Sequence, residues 1–348
     1  MTQPETTEDI IKHYAGLIIP KDFNGIIDQP RIVDDILGSG HLSRYPPSKS
    51  FQLQFLKAVI SRLESTNEEV DDNIYGRYLE LLAAKPSAVL SSGPPEPSYV
   101  THFYKTANAQ GPPKTITLLE SRTTIEAGTT GLRTWQAAFV FANWLLQHPG
   151  VVKAKKVLEL GSGTGFLGIL AAQLQAAMVL TDCNAEVLER CKFNVFLDCT
   201  NHPSITIRTL DWNDCLSNSL ERDAAFAYLH ELAADVIIGT DLVFDPSIIP
   251  ALVATLRLAL DASASSVSRP QTEALIALAI RRESTFAEFK AACNIIGLSV
   301  EEESLDGAGC GPFTHNPSRS TSLNVADHVS LLRIRLFGTR EAKSGPAE

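Results

Sequence analysis

The sequence predicts an α/β protein in which a Rossmann-like parallel sheet follows an N-terminal all-helical unit. Apolar residues recur at helical spacing over residues 6–85, and beyond them short apolar runs alternate with longer helical stretches. A glycine-rich turn follows one of these short runs, in the sequence K-V-L-E-L-G-S-G-T-G-F that begins at Lys156. Such alternation is typical of a parallel sheet with helices on both faces. With 348 residues, of which 44% are hydrophobic, the chain can bury a core of this kind and a smaller unit.

The N-terminal region, residues 1–92, is predicted to be a helical accessory domain. Four groups of apolar residues recur there at helical spacing, at residues 10–14, 32–37, 51–60 and 74–82. Pro46 and Pro47 interrupt the pattern and are expected to begin the third helix. The sequence G-P-P-E-P predicts a linker over residues 93–100, and the second domain is expected to occupy residues 101–340.

The second domain is predicted to alternate strands with helices. The predicted strands cover residues 115–119, 157–160, 178–181, 205–210, 235–239, 274–280, 299–303 and 329–337. The predicted helices cover residues 135–147, 165–175, 185–197, 248–260 and 284–296. Only a polar loop, residues 305–327, separates the last two strands, so we expect an antiparallel hairpin at the sheet edge. This antiparallel ending favours a seven-stranded class I methyltransferase sheet over an all-parallel dehydrogenase sheet. We interpret the loop 305–327 as a disordered insert rather than a substrate lid.

The glycine-rich turn discriminates between two nucleotide-like cofactors. Gly161, Gly163 and Gly165 let the backbone approach a ligand closely, but the dinucleotide fingerprint requires a glycine where Phe166 stands. The Glu159 carboxylate would repel a pyrophosphate, whereas it would attract the ammonium and sulfonium groups of S-adenosylmethionine. Such glycines also serve close packing of a strand against a helix. The turn therefore predicts S-adenosylmethionine as cofactor, with contacts at Glu159, Gly161, Ser162, Gly163 and Gly165.

Polar and aromatic residues follow several predicted strands, and ligands bind at the carboxyl ends of the strands in such sheets. Asp182 is expected to accept hydrogen bonds from both ribose hydroxyls, with capping of the next helix as the alternative. Asp211 is expected to accept from the adenine amino group and Trp212 to border the ring. Their alternative is a turn aspartate beside a half-buried tryptophan. Trp135, at the start of a predicted helix, either packs on the cofactor edge or anchors that helix in the core.

Thr240, Asp241 and Phe244 follow the predicted strand D-V-I-I-G, where an acceptor would meet the methyl donor. Methyl transfer requires a positioned lone pair and the exclusion of water. A lysine acceptor, with a reference pKa of about 10.4, must also lose a proton before it attacks. Asp241 is expected to orient the amine and assist its deprotonation, and Phe244 is expected to line a lysine channel. Asp245 is expected to cap the following helix.

Composition and charge argue against several classes of protein. The net charge of −10 and the lack of a Lys/Arg run argue against nucleic-acid binding. The six cysteines form no C-x-x-C pair, which indicates reduced thiols and no metal site. The N-terminus lacks the basic and apolar blocks of a signal peptide, and no apolar stretch is long enough to cross a bilayer. We therefore expect a soluble, cytoplasmic protein that acts as a monomer.

Four motifs together resemble those of the seven-beta-strand protein-lysine methyltransferases: V-L-E-L-G-S-G-T-G, T-D, L-D-W and T-D-L-V-F. The last matches the acidic-x-x-aromatic hallmark of that family, from Asp241 to Phe244. Two further stretches, S-R-Y-P-P-S-K-S-F and T-T-I-E-A-G-T-T-G-L-R-T-W-Q-A-A, are similar to the branch that methylates a lysine of translation elongation factor 2. The resemblance covers most of the chain and leaves the loop 305–327 without a counterpart.

The resemblance implies an S-adenosylmethionine-dependent enzyme whose protein substrate is expected to be translation elongation factor 2, with the helical domain helping to dock it. The implied cofactor contacts are Trp135, Gly161 to Gly163, Asp182, Trp212 and Thr240. Thr240 stands where the family has a smaller residue, so its contact is expected through the backbone. Two alternatives stay open: another protein or a small molecule as acceptor, and a scaffold that binds the cofactor without catalysis. The helical domain argues against a small acceptor, which needs no docking surface.

Overall fold

The apolar periodicity of the N-terminal region folds into helices in the computed structural model, which describes residues 7–19, 26–84, 95–106, 110–198, 204–264, 272–306, 311–313 and 328–337. The helices are α1 (Thr7–Ala15), α2 (Gln29–Ile32), which continues as a π-helical turn over Val33–Leu37, α3 (Gly40–Arg44), α4 (Lys49–Ser65) and α5 (Asp72–Ala83). As predicted, α4 begins just after Pro46 and Pro47. Its apolar face forms the centre of a helical core around Phe55, Leu56 and Val59.

An antiparallel hairpin joins this helical core to the rest of the molecule. β1 (Ser98–Tyr104) pairs with β2 (Lys114–Glu120). Val100 packs in the helical core, whereas Ile116 and Leu118 pack in a core of the larger sheet. β1 begins inside the segment predicted as a linker, and β2 pairs with β1 instead of joining the main sheet. Both differences arise because the hairpin lies between two cores, and local periodicity does not reveal which neighbour covers a strand.

Seven strands form the main sheet within the described residues. They are β3 (Lys156–Leu160), β4 (Ala177–Asp182), β5 (Ile205–Thr209), β6 (Val236–Thr240), β7 (Glu273–Ala279), β8 (Leu298–Glu303) and β9 (Val329–Leu336). Their order is β5-β4-β3-β6-β7-β9-β8, with β3 to β7 parallel and β9 antiparallel to both of its neighbours. The predicted hairpin at the edge is confirmed. Chain order reverses at β3, and a ligand crevice forms at the carboxyl ends of the strands beside such a switch point.

Helices cover both faces of the sheet, as the alternation predicts. They are α6 (Gln136–Gln147), α7 (Phe166–Gln173), α8 (Ala185–Asp198), α9 (Arg222–Leu232), α10 (Ile249–Ala264) and α11 (Glu283–Ile295). One core includes Phe141 of α6 and Leu170 of α7, and the core on the opposite face includes Leu256 of α10 and Phe289 of α11. The sequence did not predict α9, because this helix buries only Ala225 and Leu229 and its other apolar residues, such as Phe226, do not extend a single inward face.

The segment between β8 and β9 is attached to α6 where the structure describes it. Phe313 is buried in the core that contains α6, and the Asn143 side chain bonds both its backbone N–H and its backbone C=O. The Trp144 indole N–H donates to the carbonyl of Ser304. Part of the predicted insert therefore packs in the core, while residues 307–310 and 314–327 lie outside the described residues. No helix among the described residues is both long and apolar enough to span a bilayer.

Candidate functional site

The glycine-rich turn leaves β3 in a left-handed backbone conformation, with φ of 59° at Gly161 and 53° at Gly163. A Cβ atom on Gly161 would lie 2.8 Å from a methyl carbon of Leu242, and one on Gly163 would lie 3.2 Å from the carbonyl oxygen of Gly131. A larger residue would therefore be strained by its backbone conformation and would also lack room. The turn exposes its backbone to a cavity at the carboxyl ends of β3, β4, β5, β6 and β7.

This cavity has a volume of about 600 Å³, enough for a nucleoside-sized ligand. Every site residue predicted from the sequence except Gly165 lines it. Those residues are Trp135, Glu159, Gly161, Ser162, Gly163, Asp182, Asp211, Trp212, Thr240, Asp241 and Phe244. They come from five separate parts of the chain, and the sheet brings them together because its parallel strands all end at one edge.

Gly165 is the predicted contact that does not line the cavity. Its φ is 83°, and it stands at the N-terminal cap position of α7. A Cβ atom there would lie 2.9 Å from Sγ of Cys191, a buried residue of α8. The contacts of Gly165 therefore correspond to close packing between two helices, whereas the sequence offered packing of a strand against a helix as the alternative to a ligand contact.

Glu159 is a buried carboxyl group at the floor of the cavity, under α7. A Cβ atom on Gly168 would lie 2.6 Å from its Oε2 atom. Burial raises the pKa of Glu159 to about 8. The amide of Gly168 opposes this rise, and the Asp182 carboxylate adds to it. Oε2 makes no hydrogen bond of normal geometry with the described residues. A buried carboxyl of this kind is stabilised by a cationic partner.

Asp182 lies at the carboxyl end of β4 beside the glycine turn. Its Oδ2 accepts a hydrogen bond from the amide of Gly163 at 3.4 Å, and its Oδ1 accepts from the amide of Asn184 at 3.1 Å. Burial raises the pKa of Asp182, and these backbone N–H groups oppose the rise. The cap of α8 is Asn184, whose Oδ1 accepts from the amides of Glu186 and Val187. Asp182 therefore holds the turn rather than capping the helix.

Asp211 and Trp212 follow β5 and line the cavity near the glycine turn. The Oδ1 atom of Asp211 accepts from the amide and the side-chain nitrogen of Asn213, both at 2.9 Å, and so begins the 3₁₀ turn Trp212–Cys215. The indole of Trp212 approaches the turn so closely that a Cβ atom on Gly161 would lie 3.5 Å from its Cζ2 atom. The half-buried ring and the turn aspartate of the alternative reading are therefore both observed, and both residues also line the cavity.

Asp241 is held in an uncommon backbone conformation at the end of β6, with φ of 52°. Its Oδ1 accepts a hydrogen bond from the amide of Ala279 at 2.9 Å, and its own amide donates to the carbonyl of Ala277 at 2.8 Å. Oδ2 lies 3.9 Å from Nη2 of Arg281, and the Asp241 side chain is only 9% exposed. This backbone conformation costs a non-glycine residue roughly 1–3 kcal/mol of free energy. The hydrogen bonds to β7 offset that cost and hold the carboxylate in place.

Phe244 lies at the mouth of the cavity, with 56% of its surface exposed. Between the two hallmark residues, Leu242 points inward and is buried against the glycine turn. The acidic-x-x-aromatic motif therefore presents a carboxylate inside the cavity and an aromatic ring at its rim. Asp245 accepts a hydrogen bond from the amide of Ser247 and caps the turn Pro246–Ile248, so its predicted capping role is confirmed. These bonds lower the pKa of Asp245.

Trp135 stands at the N-terminal cap position of α6, where its indole N–H donates to the carbonyl of Thr130 at 3.0 Å. Two guanidinium groups lie over its ring, that of Arg133 at 5.5 Å and that of Arg281 at 5.3 Å from the ring centroid. The ring both anchors the start of α6 and lines the cavity, so the structure joins the two roles that the sequence left open.

Sequence reasoning missed three parts of the cavity wall. Arg133 lines it beside Trp135, and Arg281 lines it from the segment after β7. A tight loop, residues 124–131, covers one side and is closed by a bridge between Glu126 and Thr129. The rule that applies to Asp182 and Asp241 also applies to Arg281, since it follows the carboxyl end of a parallel strand. The loop lies within the stretch T-T-I-E-A-G-T-T-G-L-R-T-W-Q-A-A that resembles the family, but no pattern in it indicates that it covers the cavity.

Comparison with known proteins gives concordant similarities. The family described as lysine methyltransferase matches residues 114–295. The protein-lysine N-methyltransferase EFM3 of Chaetomium thermophilum is 35% identical over 269 residues, which cover 75% of this chain and 76% of that protein. The human protein-lysine N-methyltransferase EEF2KMT is 31% identical over 275 residues, with 75% of this chain and 74% of that protein covered.

Proposed function

Because this chain belongs to the lysine methyltransferase family and is an S-adenosylmethionine-dependent protein-lysine N-methyltransferase, we propose that it methylates a lysine of translation elongation factor 2 in the cavity described above. Two observations support this acceptor. The segments around Pro46 and Trp135 resemble the branch of the family that acts on this factor. The relatives at 31% and 28% identity that carry the name EEF2KMT match about three quarters of the chain.

The cavity fits the cofactor in three respects. The glycine turn leaves a cradle that a Cβ atom would fill, the buried Oε2 of Glu159 lacks a hydrogen-bond partner among the described residues, and Asp182 offers acceptor oxygens. When bound, the cofactor supplies an electrophilic methyl group: an amine lone pair forms the new N–C bond while the C–S bond breaks and leaves its electrons on sulfur.

We assign the cavity residues as follows. Glu159, Gly161, Ser162 and Gly163 hold the cationic amino-acid part, Asp182 accepts from the ribose hydroxyls, and Asp211 and Trp212 border the adenine. Trp135 and the backbone of Thr240 contact the cofactor near the acceptor side.

Asp241 and Phe244 are proposed to prepare the acceptor. Phe244, exposed at the mouth, lines the path of the lysine stem, and its aromatic face suits a cationic or aliphatic chain. Asp241, fixed by the amide of Ala279, orients the amine and takes its proton directly or through water. The helical domain is proposed to dock the protein substrate, and the enzyme is proposed to act as a cytoplasmic monomer.

Asp241→Asn tests the catalytic assignment, because this change keeps an oxygen for the Ala279 amide and removes the charge and basicity. We expect kcat for methylation to fall by about 100-fold or more, while the calorimetric affinity for S-adenosylhomocysteine changes little. The measurement is transfer of labelled methyl groups to elongation factor 2 purified from cells that lack the enzyme. Asp245→Asn is the matched control, since that exposed carboxylate caps a turn outside the cavity.

Two results would contradict the proposal. If wild-type enzyme labels another protein in a lysate and leaves the purified factor unlabelled, the acceptor assignment is wrong. If Asp241→Asn methylates the factor at the wild-type rate, Asp241 is not the residue that prepares the amine.

A further inference from the structure

Arg281 reaches into the cavity from the segment between β7 and α11, beside Asp241 of the hallmark motif. Its guanidinium lies over the Trp135 ring, 5.3 Å from the centroid, and its Nη2 atom lies 3.9 Å from Oδ2 of Asp241. The Arg281 side chain is 47% exposed, whereas that of Asp241 is 9% exposed. A buried carboxylate is thus paired with a cation that enters from the solvent side, at the end of the cavity where the acceptor is proposed to bind.

The other charged or titratable groups around the cavity are mainly acidic. They are Arg133, Glu159, Asp182, Cys183, Asp211 and Asp241. Of these, Asp182 and Asp211 follow β4 and β5, while Glu159 lies under α7 at the floor. At the acceptor end, Arg281 places a positive group in ion-pair range of Asp241.

The charge of Asp241 creates a conflict for methyl transfer to lysine. A lysine arrives protonated, with a reference pKa of about 10.4, and only the neutral amine has a lone pair for attack. A carboxylate without a counter-charge would stabilise the ammonium form and raise the pKa of the bound lysine further. A guanidinium beside the same carboxylate has the opposite effect, because it offsets the negative charge and repels a second cation.

We propose that Arg281 is a positioning residue that offsets the charge of Asp241, so that the acceptor lysine binds as a neutral amine oriented by the carboxylate rather than as an ion-paired ammonium. This inference rests on the proposed function. The lysine proton leaves to solvent or to Asp241 before the lone pair attacks. The Trp135 ring holds the guanidinium in place by stacking, which suits a planar, permanently charged group.

The test is the pH dependence of kcat for Arg281→Gln on the same purified elongation factor. The rate rises with pH as the bound lysine loses its proton, and removal of the guanidinium should move this rise to higher pH by about one unit. At about pH 7 this corresponds to a roughly tenfold lower kcat, with no increase in KM for the acceptor. Arg281→Lys restores a positive charge and should recover most of the wild-type profile. Arg282→Gln, at the exposed neighbouring position that begins α11, should leave it unchanged.

A second measurement needs no acceptor and so separates failure of this inference from failure of the proposed function. S-adenosylmethionine carries a positive sulfur and S-adenosylhomocysteine a neutral one, so their affinity ratio reports the charge of the cavity. Measured by calorimetry, the affinity of Arg281→Gln for S-adenosylmethionine relative to its affinity for S-adenosylhomocysteine should be several-fold higher than in wild type. Arg281→Lys should leave this affinity ratio unchanged. Thermal unfolding midpoints should show that all variants are folded.

The inference is overturned if Arg281→Gln leaves both the pH profile and the affinity ratio unchanged. It is also overturned if Arg281→Lys shifts them as much as Arg281→Gln does, because the ring contact and not the charge would then be responsible. If the affinity ratio shifts as expected while wild-type enzyme does not methylate the elongation factor, the charge balance stands and the acceptor assignment alone is wrong.

Discussion

At the scale of the residue, Glu159 is a carboxyl group that folding buries at the floor of the cavity. It lies under α7 with 2% of its surface exposed, and burial raises its pKa from the ordinary value of 4.5 to about 8. The native state therefore holds a proton that the unfolded chain releases at lower pH. Stability from this group is complete below the unfolded pKa and is lost as pH rises through the folded pKa.

Glu159→Gln should remove this pH dependence. In the absence of cofactor, the wild-type free energy of unfolding should fall between about pH 5 and about pH 8, by about 1.4 kcal/mol for each unit of pKa difference in that window. The variant should show a flatter profile, and a weaker calorimetric affinity for S-adenosylmethionine above about pH 8, where wild type is ionised. Urea unfolding at several pH values measures the first effect. Parallel profiles for the two proteins would contradict it.

At the scale of elements, two side chains of α6 attach the segment after β8, namely Asn143 at Phe313 and Trp144 at Ser304. Asn143 is 2% exposed, and its amide satisfies both backbone groups of Phe313, whose ring packs against Phe166 and Tyr104. Phe166 also lines the cavity, so the attachment of this segment supports the cavity wall. Each backbone group that is buried without a hydrogen-bond partner lowers the free energy of unfolding by about 1–3 kcal/mol. The side chain of Asn143 avoids this loss for both backbone groups of Phe313.

Asn143→Ala should therefore destabilise the protein by roughly 2–4 kcal/mol, because it leaves the N–H and C=O of Phe313 unpaired in the core. Urea unfolding monitored by circular dichroism provides the measurement. Gln147→Ala, at an exposed position of the same helix, is the control and should change stability by less than about 0.5 kcal/mol. A loss no larger than that of the control would show that Phe313 leaves the core readily.

At the scale of the whole molecule, a polar contact joins α3 of the N-terminal helices to the β1–β2 hairpin. The Nε2 atom of His41 lies 2.9 Å from the hydroxyl of Thr117 and 3.3 Å from that of Thr101, and both threonines are buried. Burial, with a further contribution from Arg44, lowers the pKa of His41. A histidine with a lowered folded pKa stabilises the native state above its unfolded pKa, and this stability is lost as pH falls.

As the pH is lowered, the contact between α3 and the β1–β2 hairpin should therefore be destabilised at a higher pH than the main sheet. Below about pH 6.5, hydrogen exchange of α3 and β1 should accelerate more than that of β3 and β6, because protonated His41 loses its place between the two hydroxyls. His41→Gln, which cannot become charged, should make this exchange less dependent on pH. Equal acceleration in all four elements, or an unaltered pH dependence in the variant, would contradict the prediction.

The glycine turn illustrates how far sequence patterns reach at the site. Three glycines of one motif have the same left-handed backbone, yet Gly161 and Gly163 line the cavity while Gly165 packs against Cys191. The pattern predicts the turn because side chains are excluded there for local steric reasons. It cannot predict what lies opposite each missing side chain, since that neighbour comes from another part of the chain.

The sequence by itself determined the alternation of strands and helices, the antiparallel edge, the glycine turn and the residues at the strand ends, because each depends on local periodicity or on the rule that parallel strands end together. Only the tertiary structure decided that β1 and β2 form a hairpin between two cores and that Phe313 is buried. It also decided that Arg281 lies beside Asp241 in the cavity wall. These features join residues far apart in the chain, and no local pattern encodes which distant surface covers a given side chain.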